Sequence, residues 1–409
     1  MLSQNSRFPA ILALVGAVIG LVFATYSTLD YAQHLDRKLH DVHCSFIPGA
    51  PATSEAEACR AAMYSPYSAL FREDYWGGVP ISLFALGAFT FFAGFALYLA
   101  IAGERAPRRS VGFFALVSIT PLLVSLLMFG ISLTKIGSLC KTCVGIYVSS
   151  FLVASGGLLG LATLQPEGAE GADGRIVPRR PVVSALIPVF WLAALGVTTF
   201  LPALVYASTV PDQRAYLTKC GELKRKPALN DSLITMRGPR ARQSAILFED
   251  PLCPTCKAFH QRVIGEDVID KLDALIALFP LDNECNWMVD SALHPGACVV
   301  SRLLLCSGDR AREVLDWSYE EQEDLARAGK AGVEQLRALI ERRWGAAVLP
   351  CLDARETKIR LNNHLHFASD NAIPVSTPQM YLGTRRICEE DTDIGLRYTL
   401  GQLAPEVLK

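Results

Sequence analysis

In Ser244-Ala245-Ile246-Leu247-Phe248-Glu249-Asp250-Pro251-Leu252-Cys253-Pro254-Thr255-Cys256, a β-type run leads through an acidic, proline-containing turn into two cysteines three positions apart. A helical pattern then continues to about Leu278. Cysteines at i and i+3 on the first turn of a helix bring their sulfurs within bridging distance, and the helix N-terminus favours thiolate over thiol. Such a pair can cycle between dithiol and disulfide. A structural disulfide in so tight a loop would be strained and reducible, which suits exchange better than bracing.

Cys140-Lys141-Thr142-Cys143 repeats the spacing elsewhere in the chain. Two such pairs are the raw material of a Cys₄ zinc tetrahedron. One pair opens an apolar helix and the other follows a strand across a further apolar stretch, an awkward layout for one closed ligand set, so no metal is expected. Cys140 and Cys143 begin a stretch long enough to enter lipid, a depth at which thiols can reach a ring dissolved in the bilayer. The plainer reading of that pair is two small residues packing a helix bundle.

Of the 409 residues, 51% are hydrophobic, high for an all-soluble protein. The formal net charge of −1 supplies no field to gather nucleic acid, so no nucleic-acid partner is expected. Apolar, charge-free stretches run Pro9–Leu29, Val79–Gly103, Ser110–Thr134 and Pro181–Val210, and another, Ile136–Gln165, carries only Lys141 near its start. Each is long enough to cross a bilayer core. For the first, a signal peptide is the rival, but its apolar part outruns a usual h-region and no small-residue cleavage site separates it cleanly from the next segment. Five spans are therefore expected. Arg7, the loop with Arg105, Arg108 and Arg109, and the loop with Arg175, Arg179 and Arg180 fall on one side, which the excess of basic residues makes cytoplasmic. All twelve cysteines then lie on the opposite side or at its membrane edge, as in an oxidising compartment.

Pro166–Arg180 reads as a flexible cytoplasmic linker. It separates a four-helix membrane unit, residues 1–165, from a single tethering helix in 181–210, and 211–409 has the composition of a soluble domain. There, Leu275–Leu281 contains the next strand, 290–370 looks helical, Gln379–Ile387 is a last strand, and Thr392–Leu403 closes as a helix. The expected fold class is a four-helix membrane bundle plus a tethering fifth transmembrane helix, followed by an α/β domain with a helical insertion. Cys220, Cys285, Cys298, Cys306, Cys351 and Cys388 form an even set in that domain, and the sequence alone does not choose their connectivity. Bracing disulfides are expected, Cys285–Cys298 foremost because the two flank the short, turn-rich loop Asn286–Ala297.

The four-span unit resembles the vitamin K epoxide reductase family, joined through a fifth span to a thioredoxin-like domain as in the family's bacterial fusion members. The resemblance is carried by Cys44 and Cys59, by Cys59-Arg60-Ala61-Ala62-Met63-Tyr64-Ser65-Pro66-Tyr67-Ser68, by Gly78-Val79-Pro80-Ile81-Ser82-Leu83-Phe84, and by Cys140-Lys141-Thr142-Cys143 followed by Tyr147. In the soluble part it is carried by Thr377-Pro378 before a strand, where a thioredoxin fold places a cis-proline against its disulfide. The segment from Phe279 to Cys298 resembles secreted dithiol oxidases with a helical insertion.

The resemblance implies a quinone, ubiquinone or menaquinone, as cofactor. Tyr147 would line its pocket, and Ser82, with Phe84 beside it, would stand where the animal members use a nearby asparagine. It also implies a route. Client thiols reduce Cys253–Cys256, Cys44 and Cys59 ferry the exchange on an outer loop, and Cys140 and Cys143 pass electrons to the quinone, with His43 able to favour the Cys44 thiolate. Pro378 belongs to the catalytic set, and the partners are reduced secreted proteins, quinone and membrane lipid. The implied location is a bacterial cytoplasmic membrane with the thioredoxin-like domain outside. A quinol-linked reductase or isomerase, or a tethered binding module whose disulfides are all structural, are the alternatives.

Overall fold

The computed structural model describes residues 7–33, 62–63, 65–136, 139–168, 179–184, 186–217 and 219–409. Two compact units divide the chain, Met1–Pro211 and Asp212–Lys409.

The first unit is helical. Its helices are α1 (Phe8–Gln33), α2 (Ile81–Ala102), α3 (Arg108–Val117), α4 (Ile119–Ile131), α5 (Lys141–Ala162) and α6 (Ile187–Thr209). With α3 and α4 counted as one span, five helical segments among the described residues are long and apolar enough to cross a membrane. The stretch expected to be helical from Val79 begins instead with a short antiparallel ribbon, Ala69–Leu70 (β1) against Val79–Pro80 (β2), and the helix starts at Ile81. Pro80 donates no N–H and sits where a helix N-terminus tolerates that loss. The expected continuous helix Ser110–Thr134 breaks at Ser118. Pro121 cannot donate to the Val117 carbonyl, which accepts the Thr120 hydroxyl at 2.7 Å instead. α1 packs between α2 and α5, and α6 packs on α2. Small residues line the seam of α1 with α5: Ala13 and Ala17 are fully buried, and a Cβ on Gly156 would meet the Pro9 carbonyl and Ala13.

The second unit is a mixed five-stranded sheet in the order β3 (Ile234–Arg237), β5 (Leu272–Leu278), β4 (Gln243–Glu249), β6 (Gln379–Leu382), β7 (Arg385–Arg386). β4 and β5 are parallel and the other neighbours antiparallel. The helix α7 (Pro254–Gly265) makes the crossover from β4 to β5. Between β5 and β6 come the inserted helices α8 (Ala297–Cys306), α9 (Ala311–Glu320), α10 (Gln322–Ala331), α11 (Val333–Trp344), α12 (Leu349–Asp353) and α13 (Arg355–Asp370). α14 (Leu396–Leu403) closes the unit. The architecture is therefore an apolar helical region followed by an α/β domain of thioredoxin-like order with a helical insertion.

Three element boundaries differ from expectation. The helix after Cys256 stops at Gly265 rather than near Leu278, because Asp267 takes a positive φ of 56° and the chain turns into β5. β5 is buried on both sides, and such a strand reads as an unbroken apolar run that periodicity cannot separate from a buried helix. The expected strand Gln379–Ile387 is a hairpin of β6 and β7 turning at Gly383, where φ is 59°. The closing helix begins at Leu396 and not Thr392, after a 3₁₀ turn at Glu389–Asp391. Cys285 pairs with Cys298 as expected, and the remaining bridges are Cys220–Cys388 and Cys306–Cys351.

Candidate redox sites

Cys253 caps α7 and Pro254 occupies its first turn, so the sulfur sits where the helix dipole and free N–H groups favour an anion. Both cysteines of the pair are free thiols and deeply placed, Cys253 4% exposed and Cys256 fully buried. The Thr377–Pro378 bond is cis and brings the Thr377 carbonyl against the pair. Cys253 Sγ lies 3.6 Å from that oxygen, and the Thr255 hydroxyl sits between them, 2.8 Å from Sγ and 3.0 Å from the carbonyl. The Asp250 N–H donates to Cys256 Sγ at 3.5 Å, and Gln322 of α10 donates to the Cys253 carbonyl at 3.0 Å. The insertion thus helps hold the cysteine turn.

These contacts divide the two thiols. The hydrogen bond from Cys256 lowers Cys253 against the opposing effect of burial, and with the Thr255 hydroxyl it brings the pKa to about 6. Burial pushes Cys256 well above the usual thiol value, and the Cys253 hydrogen bond and charge add to the shift. Of the two thiols, Cys253 is therefore the more acidic and Cys256 the less.

Two buried carboxylates flank the pair. Glu249 is raised by burial and accepts a hydrogen bond from Tyr319 at 2.9 Å. Asp250 accepts from the N–H groups of Leu252 and Leu281, each at 2.8 Å, and pairs with His294 Nδ1 at 2.7 Å. Burial pulls His294 down, but the Asp250 hydrogen bond and charge outweigh it and raise the imidazole above its ordinary value, with a further contribution from Cys253. The sequence showed Glu249 and Asp250 as acidic residues at the end of an apolar strand, a legible anomaly. Nothing in the sequence announced His294, Tyr319 or Gln322, which arrive from the segment between β5 and β6.

In the first unit, Cys140 is the N-cap of α5 and buried, with Sγ 2.9 Å from the Thr142 hydroxyl, and Cys143 is half-buried. Both are free and open onto a cavity of ≈ 800 Å³. Ser82, Phe84 and Tyr147 line the same cavity. Ser82 Oγ lies 2.9 Å from the Thr28 hydroxyl, and the Tyr147 ring meets Phe129 edge-on with centroids 5.9 Å apart. The volume suits a small organic ligand, and the lining of apolar and aromatic groups with a few hydroxyls suits a lipid-soluble ring bearing oxygens. A quinone fits this donor set. Cys44, Cys59 and their neighbour His43 lie outside the described residues.

No curated protein gives a significant match to the chain. Among solved structures, a thioredoxin-like oxidoreductase from Silicibacter pomeroyi is 13% identical, over 42% of this chain and 91% of that one, with a TM-score of 0.28. A linker-deletion variant of Proteus mirabilis ScsC is also 13% identical, over 54% of this chain and 98% of that one, with a TM-score of 0.25. The character of the second unit stands on its own sheet order, its strand–CxxC–helix turn and its cis-proline. The family model that matches is that of the vitamin K epoxide reductase family, over residues 11–155. The segment that places Cys140 and Cys143 beside the cavity is a vitamin K epoxide reductase family domain, carried in one chain with a thioredoxin-like unit.

Proposed function

We propose that the thiol–disulfide oxidoreductase chemistry of this multi-pass membrane protein is linked to quinone and forms disulfides in exported proteins. The carrying observation is the opening of both Cys140 and Cys143 onto an apolar cavity lined by Ser82, Phe84 and Tyr147. A client thiolate attacks Cys253 of the oxidised soluble pair, and the client's second thiolate then attacks the mixed disulfide, which releases the oxidised client and leaves Cys253 and Cys256 reduced. Each exchange breaks one S–S bond and forms another, so two electrons move inward per cycle. Cys44 and Cys59 carry them onward to Cys140, and Cys143 presents them to the cavity. A quinone held there supplies the acceptor for two electrons and two protons. Ser82 and Tyr147 orient it by their hydroxyls, and Phe84 keeps water from the ring.

The direction is supported by Cys253. A thiol lowered to about 6 stabilises the reduced form over the disulfide, which makes the pair a better oxidant of clients. In this proposal residues 1–165 house the quinone-facing pair, 166–180 is a cytoplasmic linker, 181–210 crosses the membrane, and 211–409 meets clients on the outer side of a bacterial cytoplasmic membrane.

Purified protein supplied with a reduced client peptide and a quinone is expected to lose two client thiols for each quinone reduced. Thiol loss without quinone reduction overturns the linkage. With Cys256→Ser, a client supplied in its oxidised form is expected to accumulate as a mixed disulfide, because the Cys253 thiolate breaks the client's S–S bond and no second thiol in the turn resolves the adduct.

A further inference from the structure

α6 lies wholly beyond residue 155, where the family segment ends, yet it contributes to the cavity. Leu192, Leu195, Gly196, Thr199 and Phe200 are the contributing residues. Their spacing of i, i+3, i+4, i+7 and i+8 is one stripe of a helix. Phe190, Val197, Leu201 and Leu204 on its other faces are exposed, as lipid-facing residues would be.

Four contacts with the α2 side hold the stripe in place. Phe200 meets Phe84 edge-on with centroids 5.7 Å apart, and Trp191 meets Phe95 at 5.2 Å. The Tyr206 hydroxyl donates to the Gly78 carbonyl at 3.2 Å. The fourth is a close backbone approach: a Cβ on Gly87 would run into the Thr198 carbonyl. Pro202, four residues on, has no N–H to offer that carbonyl, so the helix leaves it free to turn toward Gly87.

Thr199 breaks a local pattern. A threonine hydroxyl within a helix ordinarily donates to the carbonyl three or four residues back. Thr25, Thr28, Thr90 and Thr198 all do so in this unit, at 2.7 to 2.9 Å. Thr199 Oγ1 is buried and has no hydrogen-bond partner among the described residues. It belongs to a residue of the cavity wall, where a buried hydroxyl without a partner favours any ligand that brings an acceptor.

We propose that α6 is a binding wall of the quinone site, with Thr199 donating a hydrogen bond to an oxygen of the quinone ring and Gly196 leaving the room the ring needs. The inference rests on the quinone reading of the Cys140/Cys143 cavity and adds to it. Ligand recognition is a property of the fused chain, because a wall of the pocket comes from the span that leads to the soluble unit. Thr199 is a binding residue here and takes no part in thiol exchange.

The test uses the full chain in detergent and measures the Kd of a short-chain ubiquinone and of a short-chain menaquinone by titration calorimetry. Thr199→Val is expected to weaken binding about fivefold, and Thr199→Ser to return it to within about twofold of the starting value. A Cβ on Gly196 meets nothing within 4 Å, so Gly196→Leu is accepted by the fold and fills the wall, weakening binding about tenfold or more. Unchanged thermal unfolding and an unchanged alkylation rate at Cys140 separate these losses from misfolding. A Thr199→Val protein that binds both quinones as the parent does overturns the inference, and if Ser82→Ala still weakens binding, the quinone reading survives it. A parent protein that binds neither quinone removes both.

Discussion

Cys253 Sγ makes contacts with two distant parts of the chain. Cys256 is one turn along the same helix, Thr255 lies between them, and the Thr377 carbonyl arrives on the strand side. Because only thiolate attacks, the alkylation rate of reduced Cys253 with iodoacetamide is expected to fall as pH drops through about 6, and Thr255→Val should move that midpoint upward. A midpoint at the ordinary thiol value of 9.0 would contradict the arrangement. The same shift has a stability consequence. The folded pKa lies below the unfolded one, so the contribution is complete above about 9, the unfolded value, and is lost as pH falls through about 6. The difference in Tm between the reduced and oxidised protein should therefore move in favour of the reduced form from pH 6 to pH 9.

At the level of elements, proline decides two features of the membrane unit. Pro121 breaks one span at Ser118, and Pro202 frees the Thr198 carbonyl at the approach of α6 to α2. Gly87 is the complementary residue, since any side chain there meets that carbonyl. Gly87→Leu is expected to cost about 1–3 kcal/mol by forcing the helices apart, read as a lower Tm by tryptophan fluorescence in detergent. Gly94 lies on the same helix, and a Cβ there would meet nothing within 4 Å, so Gly94→Ala should be neutral or slightly stabilising. Equal effects from the two substitutions would show that the close approach does not hold α6. In the second unit, the inserted helices supply Gln322 to the cysteine turn and Tyr319 to Glu249, so the insertion bears on the surroundings of the pair as well as on size.

For the whole molecule, the proposed relay sets an order of reduction. In a Cys143→Ala chain given client and quinone, electrons enter at Cys253 and find no exit. Cys253 and Cys256 should then accumulate as thiols, detected as a gel shift with a maleimide. A soluble pair that stays oxidised under those conditions would mean that its electrons leave by another path. Both free pairs are CxxC turns at helix N-termini, yet their surroundings differ: Cys253/Cys256 is flanked by buried carboxylates, and Cys140/Cys143 opens on an apolar cavity. The first suits exchange with protein thiols and the second suits a lipid-soluble acceptor.

The sequence by itself determined the local and periodic features: the five apolar stretches, the two CxxC turns, the strand ahead of Cys253, the proline ahead of β6 and the Cys285–Cys298 bridge across a short loop. Each is written in composition, hydrophobic spacing or residue separation, which act over short lengths of chain. Helix ends were less legible where a doubly buried strand, β5, imitates a buried helix. What only the tertiary structure decided is which distant residues share a site. His294 reaches Asp250 across 44 positions and Tyr319 reaches Glu249 across 70, and such pairings arise from sheet order and insertion packing that no local signal encodes. Likewise α6 reads in sequence as an apolar connector. The meeting of Gly87 with Thr198 brings its Leu192–Phe200 stripe to the cavity, and that meeting depends on small-residue packing between two helices far apart in the chain.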